Sequence, residues 1–191
     1  MYCVRQQNKR TIMAQIMSKG EKMTTRCLIC IKRDTDKYET IYCHNDGYLS
    51  YVGAMLFDYY NSKEKAEELI KLGNITALNK FINPNPECKH NYYDRQPNVV
   101  VAYGRDCGRF NENSVMCSLQ DLKDWAFVEY IYIFDNDTWL YLSSPFDKTD
   151  TLENGLNKEY KILGFNRPKD TYRFYTGLDI EKYKNKQKGN D

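Results

Sequence analysis

The chain has few histidines. It holds 2 among 191 residues, His44 and His90, with 2 Trp and 5 Pro. Such scarcity weighs against catalysis built on several imidazoles. No stretch approaches the roughly 18–20 apolar residues needed to cross a bilayer, so no membrane partner is expected. No G-x-G-x-x-G or Walker-type glycine run is present, so neither phosphate-cradling loop is expected. Nor is there an excess of one charge. The 28 basic and 26 acidic residues leave a net charge of +2, which does not demand a nucleic-acid partner. A single C-x-x-C, Cys27 to Cys30, has no second copy. In a strand this spacing puts the two thiols on opposite faces, where they cannot chelate one ion. The 7 cysteines are odd in number, and the opening residues lack the continuous apolar run of a secretory signal. The expectation is a cytoplasmic protein with reduced thiols.

Tyrosine is what the chain has in quantity: 17, against 8 Phe. Phenol rings have an apolar body and a polar tip, a composition suited to recognition surfaces. Codon bias explains the same excess blandly. A hydrophobic share of 41% suffices for one core. The ends are basic. Residues 1–22 carry Arg5, Lys9, Arg10, Lys19 and Lys22 against Glu21, and the last stretch carries Lys182, Lys184, Lys186 and Lys188. The expected division is a basic extension over 1–22, one domain over 23–179, and a basic tail over 180–191, with weak nucleic-acid contact through the ends.

The order of patterns predicts an α+β fold: an antiparallel sheet built from hairpins, with helices packed on one face. Residues 26–33 and 38–44 read as a hairpin, with Ile41 and Cys43 on one face and Tyr42 and His44 on the other. Helical spacing runs from Val52 to Tyr60. A second helix is expected from an N-cap at Asn61 or Ser62 to Leu72, stopped by Gly73-Asn74. A short helical piece is expected around 76–81. Residues 82–98, with Pro84, Pro86 and Pro97, read as a long loop. Val99–Tyr103 reads as a strand, and Ser118 with Asp121 as a helix start. Residues 127–134 and 138–143 read as a second hairpin, with Val128, Tyr130, Tyr132 and Phe134 on one face. Weaker edge strands are expected at 160–163 and 172–175.

The run Tyr42-Cys43-His44-Asn45-Asp46-Gly47-Tyr48 concentrates reactive side chains. Cys43 and His44 point to opposite faces, so adjacency does not make them a nucleophile–base pair. His44, Asp46 and Tyr42 share a side, and a carboxylate that orients a histidine is a general-base arrangement. Asp46-Gly47 also reads simply as a turn. Cys43, His44, Cys88 and His90 make up a zinc-ligand set only if the proline-rich loop folds back; no metal or cofactor is expected. Arg105-Asp106, between Gly104 and Gly108, suits either an anion-binding loop or an ion pair that holds the loop together.

Four segments, residues 42–48, Glu67 to Gly73, Tyr103 to Asp106 and Trp125 to Phe134, together resemble a family of small proteins from phage, prophage and mobile elements. The likeness spans roughly residues 24–142. Family members show histidines where this chain has Tyr59 and Gly104, a departure that favours binding over catalysis. The resemblance implies a counter-defence protein that binds and inhibits a host protein or ribonucleoprotein effector, an anti-CRISPR acting on a Cas9-type nuclease. The residues singled out for partner binding are His44, Asp46, Tyr48, Arg105 and Asp106. The alternatives are an enzyme on nucleotides or nucleic acid working through His44 and Asp46, and a nucleic-acid-binding accessory protein using the basic ends.

Overall fold

The computed structural model describes residues 24–162. The basic extension, the basic tail and the strand expected at 172–175 lie outside the described residues.

β1 (Cys27–Asp34) and β2 (Lys37–Cys43) form the first hairpin, with Cys27 opposite Cys43 and Ile29 opposite Ile41. The register slips between Lys32 and Asp34, so Arg33 is a bulged residue. The run Cys27-Leu28-Ile29-Cys30-Ile31 is apolar throughout rather than alternating, and all five residues are buried. That is the pattern of a strand covered on both faces.

A π-helical turn (Leu49–Gly53) leads into α1 (Ala54–Tyr59). α2 (Lys63–Ile70) starts at Ser62, whose hydroxyl accepts from Lys65 N–H, and the chain turns at Gly73 with φ +72°. β3 (Ile75–Ala77) stands where a helical piece is expected. The local sequence tolerates a helix, but parallel pairing to β2 and antiparallel pairing to β4 (Val101–Ala102) claim its backbone instead. The strand expected to reach Tyr103 gives way there to one helical turn, α3 (Tyr103–Cys107), which ends at Gly108 with φ 65°. β5 (Val115–Cys117) pairs with β2, and α4 (Leu119–Lys123) begins with the expected capping box of Ser118 and Asp121.

The second hairpin is β6 (Tyr130–Asp135) with β7 (Thr138–Ser143). β8 (Thr149–Thr151) adds to its outer edge, and α5 (Leu152–Ile162) follows. α5 covers the start of the segment expected to form an edge strand at 160–163.

Among the described residues the eight strands belong to one sheet, in the order β4-β3-β2-β1-β6-β7-β8, with β5 also on β2. The fold is α+β. The sheet is mostly antiparallel but mixed, because β1 joins β6 in parallel and β2 joins β3 in parallel. Each hairpin is antiparallel by local turn chemistry. The junction between them is long-range, and no local pattern fixes its direction.

Alternation along the strands builds two cores. One face presents Ile29, Ile41, Cys43, Tyr132, Phe134 and Trp139 to the π-turn, α1, α2 and α5. The other presents Leu28, Cys30, Ile131, Ile133 and Leu142 to Leu122 of α4, Val128 and Phe146. Val128 thus falls on the face opposite to Tyr132. Phe127, at φ 65°, breaks the extended backbone just before it. Tyr42 packs against the second core, on the α4 side.

Candidate functional site

β2 ends at Cys43 because its edge is handed over from β5 to β3. Tyr38–Thr40 pair with β5, while His44 N–H and Asn45 N–H donate to Ile75 O at 3.1 Å and Thr76 O at 2.9 Å. The Asn45 side chain donates to the same Thr76 carbonyl at 2.8 Å. The chain then turns at Asp46, which is exposed and has φ 54°. Gly47 follows because there is no room for a side chain. An added Cβ would lie 2.8 Å from the backbone of Arg26 and Cys27. Asp46-Gly47 is therefore a turn fixed by close approach.

The pleat keeps Cys43 and His44 apart. Cys43 is buried with the α1 side of the sheet, its Sγ 3.4 Å from Asn45 O. His44 opens to the opposite side, into a cavity of about 660 Å³. Tyr42, His44 and Asn45 supply one wall from the end of β2, and Thr76 of β3 adjoins them. Tyr92 and Tyr93 come from the long loop. Tyr103, Asp106 and Cys107 come from α3, with Arg109 and Glu112 beyond it.

The Tyr42 hydroxyl lies 3.1 Å from His44 Nδ1, leaving Nε2 for other partners. Burial, then the charges of Arg26 and Arg109, push the His44 imidazole below its ordinary value. Burial pushes the Tyr42 phenol up to about 12 and raises Tyr103 as well. Both phenols therefore stay protonated at neutral pH and act as neutral hydrogen-bonding groups.

Asp106 is a buried carboxylate that is fully engaged. Arg105 donates to it twice, Nε to Oδ1 at 2.7 Å and Nη2 to Oδ2 at 2.8 Å, and Ala102 N–H donates to Oδ2 at 2.7 Å. Burial raises the Asp106 carboxyl, but these bonds together outweigh it and hold the group below the usual carboxylate range. Arg105 also donates to Ile82 O at 2.7 Å and Val100 O at 2.5 Å. Of the two expectations for Arg105-Asp106, the ion pair that holds the loop is the one found.

The long loop is knitted to the same carboxylate. Gln96 N–H donates to His90 Nδ1 at 3.0 Å, which leaves the proton on Nε2, 3.4 Å from Asp106 Oδ2. Both side chains are 2% exposed. The two atoms form a charge contact and not a hydrogen bond, and Nε2 has no hydrogen-bonding partner. Gln96 further pins Asn85 and Cys88 through its amide, and Tyr92 N–H donates to Asp106 O at 3.0 Å. This network places Tyr92 and Tyr93 at the cavity.

Of the five residues expected to bind a partner, His44 and Asp106 line the cavity. Arg105 stands behind Asp106. Asp46 is exposed in its turn and is not part of the wall, and the Tyr48 ring lies 6.0 Å from that of Tyr51. The His44–Asp46 acid–base pair is therefore not assembled at the cavity. Nor are Cys43, His44, Cys88 and His90 assembled as zinc ligands: among the described residues no three His, Cys, Asp or Glu stand together as a metal site. Cys107 borders the cavity, but burial raises its thiol, the reverse of an activated nucleophile.

Sequence reasoning missed Tyr92, Tyr93, Tyr103, Arg109 and Glu112 as site residues. The signal was an interleaving of Tyr with Arg and Asp over 92–95 and 103–109. Arg109 stacks on Tyr103, its guanidinium 4.5 Å from the ring centre. The fold and site define an α+β protein with an open, tyrosine-walled cavity at the end of a sheet strand. Comparison of the chain with known protein families, curated proteins and solved structures finds no match in any of the three.

Proposed function

We propose that this protein acts by binding, with the tyrosine-walled cavity at His44 as its recognition site. One observation carries the proposal. The cavity gathers four tyrosines, a histidine and a solvent-facing arginine, while the carboxylate that would make His44 a general base, Asp46, stands outside it. Aromatic rings and arginine are the side chains that most often dominate recognition energetics.

The biological form we propose for this binding is the one implied by the resemblance: a counter-defence protein that inhibits a host nucleoprotein effector, of which a Cas9-type nuclease is the first to test. The purified protein is titrated into target cleavage by RNA-loaded Cas9. Inhibition that saturates, and that His44→Ala and Tyr103→Ala relieve while the variants stay folded, supports the proposal. Undiminished cleavage at excess protein overturns the inhibitor form.

A further inference from the structure

The charges in the cavity wall are unevenly satisfied. Of its two carboxylates, Asp106 is held by Arg105 and Ala102 N–H, and Glu112 Oε2 accepts from Asn74 Nδ2 at 2.8 Å. Arg109 has no such partner. Among the described residues no carboxylate lies within ion-pair distance of it, and its face is stacked on Tyr103. Glu112 keeps its charge, since an amide donor does not neutralise it; what marks a place for an anion is Arg109, whose guanidinium face is held on Tyr103 while its edges are free. A stacked guanidinium with free edges is suited to a phosphate or carboxylate.

The remaining surfaces favour a planar ring. Tyr92 and Tyr93 stand edge to face, their centroids 5.2 Å apart, and Tyr93 is 94% exposed at the rim. Tyr42 and Tyr103 line the same space, with one face of Tyr103 taken by Arg109 and one face of Tyr92 by Arg95, 4.6 Å from its ring centre, so a base meets the remaining faces. Phenol rings accept any base on their faces, without regard to sequence. His44 adds one polar group, Nε2, because Tyr42 occupies Nδ1. A cavity of about 660 Å³ exceeds what a lone anion needs and falls within the range of small-ligand sites.

We propose that the cavity binds a nucleoside monophosphate unit, with its base among the tyrosine rings and its phosphate on Arg109. The unit is either a free nucleotide or the phosphorylated end of a nucleic-acid strand. This rests on the cavity being the recognition site; it does not rest on the counter-defence setting.

The test is calorimetric titration of the full chain with AMP, UMP, adenosine, inorganic phosphate, and a short single-stranded oligonucleotide with and without a 5′-phosphate. The monophosphates bind about tenfold or more tighter than adenosine or phosphate alone, since only they meet both the rings and the cation. Arg109→Gln removes the advantage of AMP over adenosine, and Tyr93→Ala weakens both. Both side chains are exposed, so neither change threatens the fold. If the 5′-phosphorylated oligonucleotide matches AMP, the strand end is the natural form; if only AMP and UMP bind, the free nucleotide is. No saturable binding at millimolar concentration, phosphate binding as tightly as AMP, or affinities unmoved by Arg109→Gln overturns the proposal. Nuclease inhibition that depends on His44 without nucleotide binding sinks this ligand class but leaves the recognition site standing. Nucleotide binding with undiminished cleavage keeps both the ligand class and the recognition site and removes only the inhibitor form.

Discussion

Tyr42 and His44 stand on one face at the end of a strand, with the phenol oxygen 3.1 Å from His44 Nδ1 and the rings edge to face at 6.0 Å. Tyr42, packed against the second core, thereby sets the angle of a less buried histidine. What β2 presents to the cavity is this pair, because the neighbouring Cys43 points through to the other core.

The pair makes His44 a reporter for the cavity. Burial, Arg26 and Arg109 hold its imidazole below the ordinary value near 6.5. Arg109→Gln removes one of the two charges and raises the His44 midpoint, read by NMR titration of the imidazole signals of the 2 histidines. A midpoint that does not move shows that Arg109 does not face His44. The sign for stability follows. A depressed histidine takes up fewer protons folded than unfolded, so its contribution is complete above about 6.5 and is lost as pH falls through the folded midpoint. An anion on Arg109 screens that charge and raises the His44 midpoint, which the same NMR titration reads.

Asp106 is the strongest electrostatic anchor near the site. Asp106→Asn removes the charge and one of the two oxygens that accept from Arg105 and Ala102 N–H, and costs about 3 kcal/mol, the lower end for breaking a buried pair, since the Arg105 side chain keeps 28% exposure. Urea unfolding at neutral pH measures the cost. The folded carboxyl lies below its unfolded value near 3.9, so the stability it supplies is present above that pH and is lost as pH falls through the folded value. The gap between wild type and variant therefore closes in strong acid. A gap that persists there assigns the loss to packing instead of charge.

Most of what was legible in the sequence is local. The hairpin turns, the Ser62 cap, the Ser118–Asp121 box, the Gly73 stop and the opposite faces of Cys43 and His44 each depend on residues within a few positions of one another. What was not legible is long-range. β1 joins β6 across about a hundred residues, and no turn chemistry records that this pairing is parallel. Ile75–Ala77 became a strand only because β2 and β4 lie on either side of it. The cavity is the extreme case. His44 is visible in its motif, but Tyr92, Tyr103 and Arg109 reach it through a loop tied down by Gln96, His90 and Asp106. Asp46 looked like the partner of His44 by spacing, and the turn that Gly47 makes possible carries it out of the wall.

Gly73 couples helix α2 to the far wall of the cavity. At φ +72° its backbone is left-handed, and an added Cβ would lie 2.0 Å from Glu112 O. Gly73→Ala therefore meets both backbone strain, about 1–2 kcal/mol, and a clash with main chain that cannot rotate away. The segment around Glu112 must shift, and it carries the Asn74 N–H bond to Glu112 O at 2.7 Å. The expected loss exceeds about 2 kcal/mol in chemical denaturation, with altered amide shifts for residues 111–114. A loss under about 1 kcal/mol would mean that this segment yields easily and does not fix the wall.

The strand-to-helix junction has its own anchor, separate from the cavity. Tyr132, fully buried in β6, donates its hydroxyl to Gly47 O at 3.0 Å. Tyr132→Phe keeps the ring and removes only this donor, leaving a buried carbonyl short of its partner at a cost of about 1–3 kcal/mol. His44 is held independently, by its own N–H on Ile75 O and by Tyr42. The variant should therefore unfold at lower urea while the His44 imidazole signals and their titration stay where they are. If both change together, Gly47 transmits its anchoring to His44 and the junction is a single mechanical unit. If stability falls alone, the turn at Asp46-Gly47 serves the core and the cavity answers only to Tyr42 and the loops.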